Sequence, residues 1–182
     1  EGLTASPREN AYRMKMEYSF GDAYRDGPLT LGMHKRGSHY DIVETDRCEL
    51  VHEDLNLALR ETLRFFRERK VPFYHKLRHE GYLRFLLARR GTHRKELLLD
   101  LVTSSQLPAE EERELLRAWR ELMCSLPFEA SLKGLLHTVT DSVADAVKNE
   151  RTEVLFGEAQ FEEELSGLRF AITPFSFFQN NA

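Results

Sequence analysis

Hydrophobic and polar positions alternate cleanly from Tyr12 to Phe20. Tyr12, Met14, Met16, Tyr18 and Phe20 share one side, and Arg13, Lys15, Glu17 and Ser19 share the other. A period of two predicts a half-buried strand. Asp26-Gly27-Pro28 is turn chemistry. Leu29, Leu31 and Met33 then alternate as a hairpin partner, and Tyr40 to Val43 reads as a third strand after the Gly37-Ser38 break. The period changes at Glu53. Leu55, Leu59, Leu63 and Phe66 recur at helical spacing, predicting a helix over Glu53–Arg69 that Pro72 ends.

Two apolar runs, Gly81–Arg90 and Glu96–Thr103, flank Gly91-Thr-His-Arg-Lys95 and predict a β-hairpin with a basic tip. Pro108 marks the start of a second helix, and Glu110, Glu111 and Glu112 suit the positive end of its dipole. Leu115, Leu116, Trp119, Leu122, Met123 and Leu126 form its apolar stripe, and Pro127 closes it. Lys133–Thr140 is the next strand, and Asp141–Arg151 reads as either a short helix or a loop. Thr152–Phe156, Phe161–Leu165 and Leu168–Thr173 are short strands separated by glycines. The order predicts an α+β domain: an antiparallel sheet of short strands with two main helices packed mostly on one face. The chain opens at Glu1 without an initiator Met and stops just after Phe177-Phe-Gln. Both ends predict a piece of a longer protein.

Composition adds exclusions. The 182 residues are 41% hydrophobic and 31% charged, enough for one domain with a core. No apolar run approaches the ~20 residues that a membrane span needs. Two cysteines, Cys48 and Cys124, form no disulfide framework, cannot alone complete a structural metal site, and fit a reducing cytoplasm. Cys48 sits at a strand–helix junction, where a ligand or reactive thiol is well placed; a small buried hydrophobe is the plainer reading. Cys124, beside the second helix's stripe, is expected in the core.

Net charge is −4, but it is segregated. Arg60 to Lys95 holds twelve Lys or Arg against three acids, a local net of +9. This suggests one face for a polyanion, while two solvated helix faces and a loop would give the same counts. Arg13, Lys15 and Arg36 lie on or beside the open face of the first strands, near Tyr24 and His34. Cations interleaved with rings on a sheet hold RNA by taking phosphates and stacking splayed bases; an ordinary solvated face has the same pattern. His34 and His39 lie across a turn. His75 and His79 are four apart, but Pro72 and Gly81 flank them, so a loop is expected and not a metal-binding helix. G-x-G-x-x-G, P-loop, H-E-x-x-H and G-x-S-x-G motifs are absent, so no self-contained active site is expected.

Four segments, in order, resemble the RNA uracil-5-methyltransferase family, which modifies ribosomal RNA or the T-loop of transfer RNA. Ala11-Tyr-Arg-Met-Lys-Met-Glu-Tyr18 is similar to its Tyr-Arg-x-Lys/Arg strand, and Leu31-Gly-Met-His-Lys-Arg-Gly37 to its Gly-Phe-x-x-x-Gly hairpin. Asp41-Ile-Val43 with Cys48 resembles its Ile-Val-x-x-x-x-Cys segment. Thr173-Pro-Phe-Ser-Phe-Phe-Gln-Asn-Asn181 resembles the Ser-Pro-x-x-Phe-x-Gln-x-Asn stretch that leads into its catalytic domain. Asn180 stands where Val or Thr is usual, and Lys70 to His79 has no firm family counterpart.

The resemblance implies that residues 1–166 form the central RNA-contacting domain. Residues 167–182 would be the truncated opening strand of a following domain that binds S-adenosyl-L-methionine (SAM). It also implies that Gln179 contacts SAM, that Phe177 lies at the target-base pocket, and that Arg13 and Lys15 face RNA, with Arg36 beside them. Cys48 would be the fourth ligand of a [4Fe–4S] cluster whose other cysteines precede Glu1, so this chain alone would not hold the cluster. In the family, a cysteine thiolate adds to uracil C6 and C5 attacks the methyl of SAM. A base then removes the C5 proton and the thiolate leaves. The target base must be flipped out. Neither Cys48 nor Cys124 sits in the nucleophile's context, so the chain by itself is expected to be inactive. The reading is the central domain of a SAM-dependent enzyme acting on RNA, with 23S ribosomal RNA first and transfer RNA second; the rival is a non-enzymatic RNA-binding module.

Overall fold

The computed structural model describes Gly2 and residues 5–6, 8–143 and 151–178. Nine strands and two helices follow one another among them: β1 (Lys15–Asp22), β2 (Leu29–His34), β3 (Ile42–Glu44), α1 (Glu53–Glu68), β4 (Leu83–Arg90), β5 (Glu96–Thr103), α2 (Ala109–Ser125), β6 (Ser131–Val139), β7 (Arg151–Gly157), β8 (Phe161–Leu165) and β9 (Leu168–Ile172). Seven strands form one sheet in the order β3-β2-β1-β4-β5-β6-β7, and β8 and β9 form a separate hairpin. Each expected element is present to within a few residues, the expected Tyr40–Val43 strand being the shorter β3. Asp141–Arg151 falls mostly outside the described residues.

The α+β class stands, but the sheet is mixed, not antiparallel. β5 and β6 run parallel from Glu96↔Ser131 to Thr103↔Val139. The reason is α2: a strand leaving one end of a sheet and returning through a helix enters the next position in the same direction. Nor are the central strands short, since β1, β4 and β5 each have 8 residues and β6 has 9.

Both helices contribute to one core against one face of the sheet. It joins Tyr18, Leu86, Leu99 and Leu135 to Leu59, Phe66, Trp119 and Met123. Trp119 is fully buried, stacks on Phe66 at 6.4 Å and donates its indole N–H to Thr62 Oγ1 at 3.2 Å. Cys124, expected in this core, is exposed. One helical residue turns the side chain by about 100°, which takes it off the stripe that Met123 occupies.

The opposite face is covered too. Phe161 and Ile172 of the β8–β9 hairpin pack on Leu98 and Leu136, and Phe175 packs on Phe85, Leu87 and Val102. This explains why β4 is buried at every position: a strand covered on both faces loses its polar alternation. It also corrects the expected open face. On β1, Lys15 stays half-buried and Glu17 exposed, and Val154 of β7 is 45% exposed beside Leu136.

Candidate nucleic-acid interface

Arg13 precedes β1. Its amide donates to the Leu50 carbonyl at 2.9 Å, and its Nε donates to the Lys15 carbonyl at 3.0 Å. Lys15, the first residue of β1, lies 3.5 Å from Glu17 across the same face. Side chains two apart in a strand share a face, so β1 places a carboxylate beside its own cation. Arg36 is exposed in the β2–β3 turn. That turn's Tyr40 shares cavities with Asp22, at the far end of β1 from Lys15. Seven strand steps span about 23 Å, so the three cations do not converge on one patch.

Cys48 lies in the turn before α1, half-buried against the main core. Its carbonyl accepts from Asn56 Nδ2 at 3.2 Å and from the Val51 amide at 3.4 Å. Tyr18 feels both Cys48 and Arg13. Burial and the nearby Cys48 push its phenol far above the ordinary tyrosine range, with Arg13 opposing them. Tyr18 Oη, Thr45 Oγ1 and Asn56 Oδ1 are buried without a hydrogen-bond partner. The donor set on this chain does not by itself fit an iron–sulfur cluster. The chain offers one thiol here, and no group of three or more His, Cys, Asp or Glu gathers among the described residues.

Phe177 is 92% exposed. The turn before it is fixed: Thr173 and Ser176 exchange hydrogen bonds, and Arg89 reaches over from β4. Arg89 Nε donates to the Pro174 carbonyl at 3.0 Å, and Nη2 donates to the Ser176 carbonyl. Burial lowers Arg89 to about 10, with Glu17 opposing, so it stays cationic at neutral pH. Gln179 lies outside the described residues. The described part of the terminal segment therefore presents an aromatic side chain and not a closed cofactor pocket.

The basic stretch from Arg60 to Lys95 does not make one cationic face. Arg84, Arg89 and Arg90 are buried, at 5%, 4% and 7% exposure. Arg84 lies over the Tyr74 ring at 4.4 Å and donates to the Thr140 carbonyl. Arg90 pairs with Asp54 at 2.7 Å. The hairpin tip is met by acids from elsewhere: Arg94 by Glu96 and Glu162, and Lys95 by Glu129 at 2.8 Å. Glu163, fully buried, accepts from the Thr92 and His93 amides beneath the tip. On α1, Arg64 pairs with Glu61 and Arg67 with Glu44. Among the described residues Arg36, Lys70 and Arg78 have no ion pair. The +9 read from the sequence is thus largely internal wiring, because a residue count cannot see partners distant in the chain.

What remains is a basic corner that sequence reasoning named only in part. The β2–β3 turn meets the His75–Glu80 turn there, around a cavity of about 550 Å³ lined by His34, Ser38, His39, Tyr40, Lys76 and Leu77. Lys76 Nζ sits 3.4 Å from His34 Nε2. The expected loop at His75–His79 is a tight turn: His75 Nδ1 accepts from the amides of Leu77 and Arg78, and His79 Nδ1 meets the Tyr74 hydroxyl. The local signal was the density of His, Lys and Arg between residues 70 and 79. Tyr40 gave none, because it read as the start of a strand.

No family model matches the chain. It is 45% identical over 181 residues to an uncharacterized RNA methyltransferase of Caldanaerobacter subterraneus subsp. tengcongensis, covering 100% of this chain and 39% of that protein. It is 40% identical over 180 residues to an uncharacterized RNA methyltransferase of Clostridium tetani, covering 99% and 38%. Among solved structures, the Pyrococcus abyssi tRNA (uracil-54, C5)-methyltransferase in complex with S-adenosyl-L-homocysteine superposes with a TM-score of 0.72 at 21% identity, over 98% of this chain and 39% of that one. At that identity the likeness shows the fold alone. The chain spans 39% and 38% of the two relatives' lengths; it is similar, along its whole length, to one segment of proteins named RNA methyltransferases.

Proposed function

We propose that this chain is the central, RNA-contacting domain of a SAM-dependent RNA uracil-5-methyltransferase. The observation that carries the reading is the 45% identity, along all of this chain, to part of a protein named an RNA methyltransferase. The fold shared with a tRNA uracil-5-methyltransferase supports it. Residues 1–166 hold RNA in this reading, and residues 167–182 lead into a catalytic domain. Bound SAM would supply the methyl group. This chain's part is positional: Arg89 fixes the turn at Pro174–Ser176, so that Phe177 and, beyond it, Gln179 are delivered to the neighbouring domain. Cys48 would be one cluster ligand only if the parent brought further cysteines to it.

Ribosomal RNA, 23S in particular, is the proposed target, and transfer RNA is the competitor. The test uses the full-length parent with each RNA in turn and labelled methyl donor. Gln179→Ala is expected to abolish methyl transfer to C5 of uracil while RNA binding persists. Full methylation by that variant would remove the cofactor role, and a parent that methylates neither RNA would remove the reading.

A further inference from the structure

We infer that the cavity between the β2–β3 turn and the His75–Glu80 turn is a subsite for one unstacked nucleotide of single-stranded RNA. The inference rests on the RNA-contacting reading above and names the surface that does the contacting. At about 550 Å³ the cavity lies within the range of small-ligand sites, roughly 300–1,000 Å³.

Its lining divides by chemistry. Tyr40, 54% exposed, and Leu77, 66% exposed, offer an apolar surface with one aromatic ring. His34, His39 and Lys76 supply the nitrogen groups, and among the described residues no carboxylate lines this cavity. The carboxylates of this corner, Asp22, Asp26 and Asp41, line the adjoining cavity of about 480 Å³ on the other side of Tyr40 and Leu77. That second cavity is of mixed charge, with Arg25 and Arg78 beside its carboxylates, so the side of the ring lined by Lys76 and the histidines is the one that favours an anion. Arg36, exposed in the same turn as Ser38, His39 and Tyr40, has no ion pair among the described residues. Cations beside an exposed ring are what single-stranded nucleic acid needs, a phosphate contact next to a stacking platform. A duplex keeps its bases stacked and cannot offer one to Tyr40.

The site is built before a ligand arrives. Ser38 Oγ accepts from the amides of Tyr40 and Asp41, at 3.3 and 3.1 Å, and the Lys35 amide donates to the Asp41 carbonyl at 2.9 Å. Ser38 thus uses its acceptor capacity within the turn and keeps one O–H donor. Across the gap, the His75 amide donates to the Glu80 carbonyl at 2.7 Å, and the His79 amide to the His75 carbonyl at 2.8 Å. Gln106 ties that turn to the loop before α2, donating to the His79 carbonyl and accepting from the Gly81 amide. Two ordered turns spare a ligand much of the cost of fixing them.

The experiment measures fluorescence anisotropy of a labelled uridine-rich ten-nucleotide RNA with the 182-residue chain, across a salt series. Wild type is expected to bind the single strand and to prefer it over a duplex of the same sequence. Tyr40→Ala should weaken binding by about tenfold or more, while Tyr40→Phe, which keeps the ring, should restore it. Lys76→Gln should make the salt dependence shallower by about one phosphate contact. Tyr40 is exposed, so unchanged thermal unfolding will show that its variants are folded. If wild type binds and Tyr40→Ala binds equally well, the subsite is wrong while the RNA reading survives on another surface. Equal affinity for duplex and single strand overturns it as well. No binding by wild type at low salt overturns the subsite, and methyl transfer by the parent then judges the wider reading separately.

Discussion

At the scale of single residues, partners decide what a charged group does, and several here lie more than thirty positions away. Asp54 accepts from Arg90 Nε, from the Glu129 amide at 2.8 Å and from the Ala130 amide at 3.0 Å. Burial pushes its carboxyl up, but these donors outweigh burial and hold it below the usual carboxylate range. A depressed folded value gives stability that is present above the unfolded pKa of about 4 and lost as pH falls through the lower folded value. Asp54→Asn, which leaves buried Arg90 only the exposed Glu129 carboxylate at 3.6 Å, is expected to cost about 3 kcal/mol at pH 7. The gap from wild type should narrow in urea unfolding below about pH 4; a constant gap would mean that the carboxylate charge is not what holds Arg90.

Asp100 has the opposite sign. It faces the hairpin-covered side of the sheet, with Oδ2 accepting from Thr138 Oγ1 at 2.9 Å and Oδ1 without a partner. Burial raises its carboxyl to about 7. The folded state then keeps a proton that the unfolded chain releases near pH 4, so stability is highest below that pH and falls as pH rises through 7. His137, which burial lowers to about 4, changes stability the other way between about 4 and 6.5. The difference between variants therefore isolates Asp100 better than the wild-type profile does. Asp100→Asn should equal wild type at pH 4 and exceed its stability at pH 8 by on the order of 2 kcal/mol. Equal stability at both pH values would show that the buried carboxyl carries no charge penalty.

At the scale of elements, the strands and helices were legible because their periods are strong. Met14, Met16, Tyr18 and Phe20 are buried as their alternation requires. The direction of β6 was not legible, since periodicity is the same for parallel and antiparallel neighbours. Nor was the role of Arg89, which reads as one of two arginines that end the Gly81–Arg90 run. In the fold it pins the Pro174–Ser176 turn from within the sheet. Arg89→Met keeps much of the side-chain volume and removes the donors. Amide exchange over residues 173–178 is expected to rise about tenfold or more, while the β4–β5 ladder stays protected. Unchanged exchange there would mean that the bonds between Thr173 and Ser176 hold the turn alone.

At the scale of the whole molecule, the charge segregation that pointed to a polyanion survives only as a corner. Most of the basic stretch is spent on internal pairs or buried, and Lys70 and Arg78 are among its cations without an ion pair among the described residues. If the proposed subsite at that corner supplies the phosphate contacts, RNA affinity of the isolated chain should fall with salt with a slope of only a few phosphates. A single-strand slope near −0.7 per contact gives about −2 to −3 in log affinity against log salt. A slope near −6 would show that the paired arginines also reach the RNA. The described residues contain no helix long and apolar enough to cross a membrane.

The sequence by itself determined the elements, the two-helix core and the four ordered segments that resemble one enzyme family. These depend on local periodicity and local residue order. Candidate residues were legible as types: Arg13, Lys15, Arg36, Cys48 and Phe177 are all where a strand, turn or terminus was expected to put them. Only the tertiary structure decided that the first three do not share one patch, that Cys48 is half-buried with its carbonyl held by Asn56, and that Tyr40, His39 and Lys76 meet across a cavity. The physical reason is that burial and pairing join residues far apart in the chain. Arg90 finds Asp54, Lys95 finds Glu129, and two turns 36 residues apart, at Tyr40 and Lys76, close on the same space.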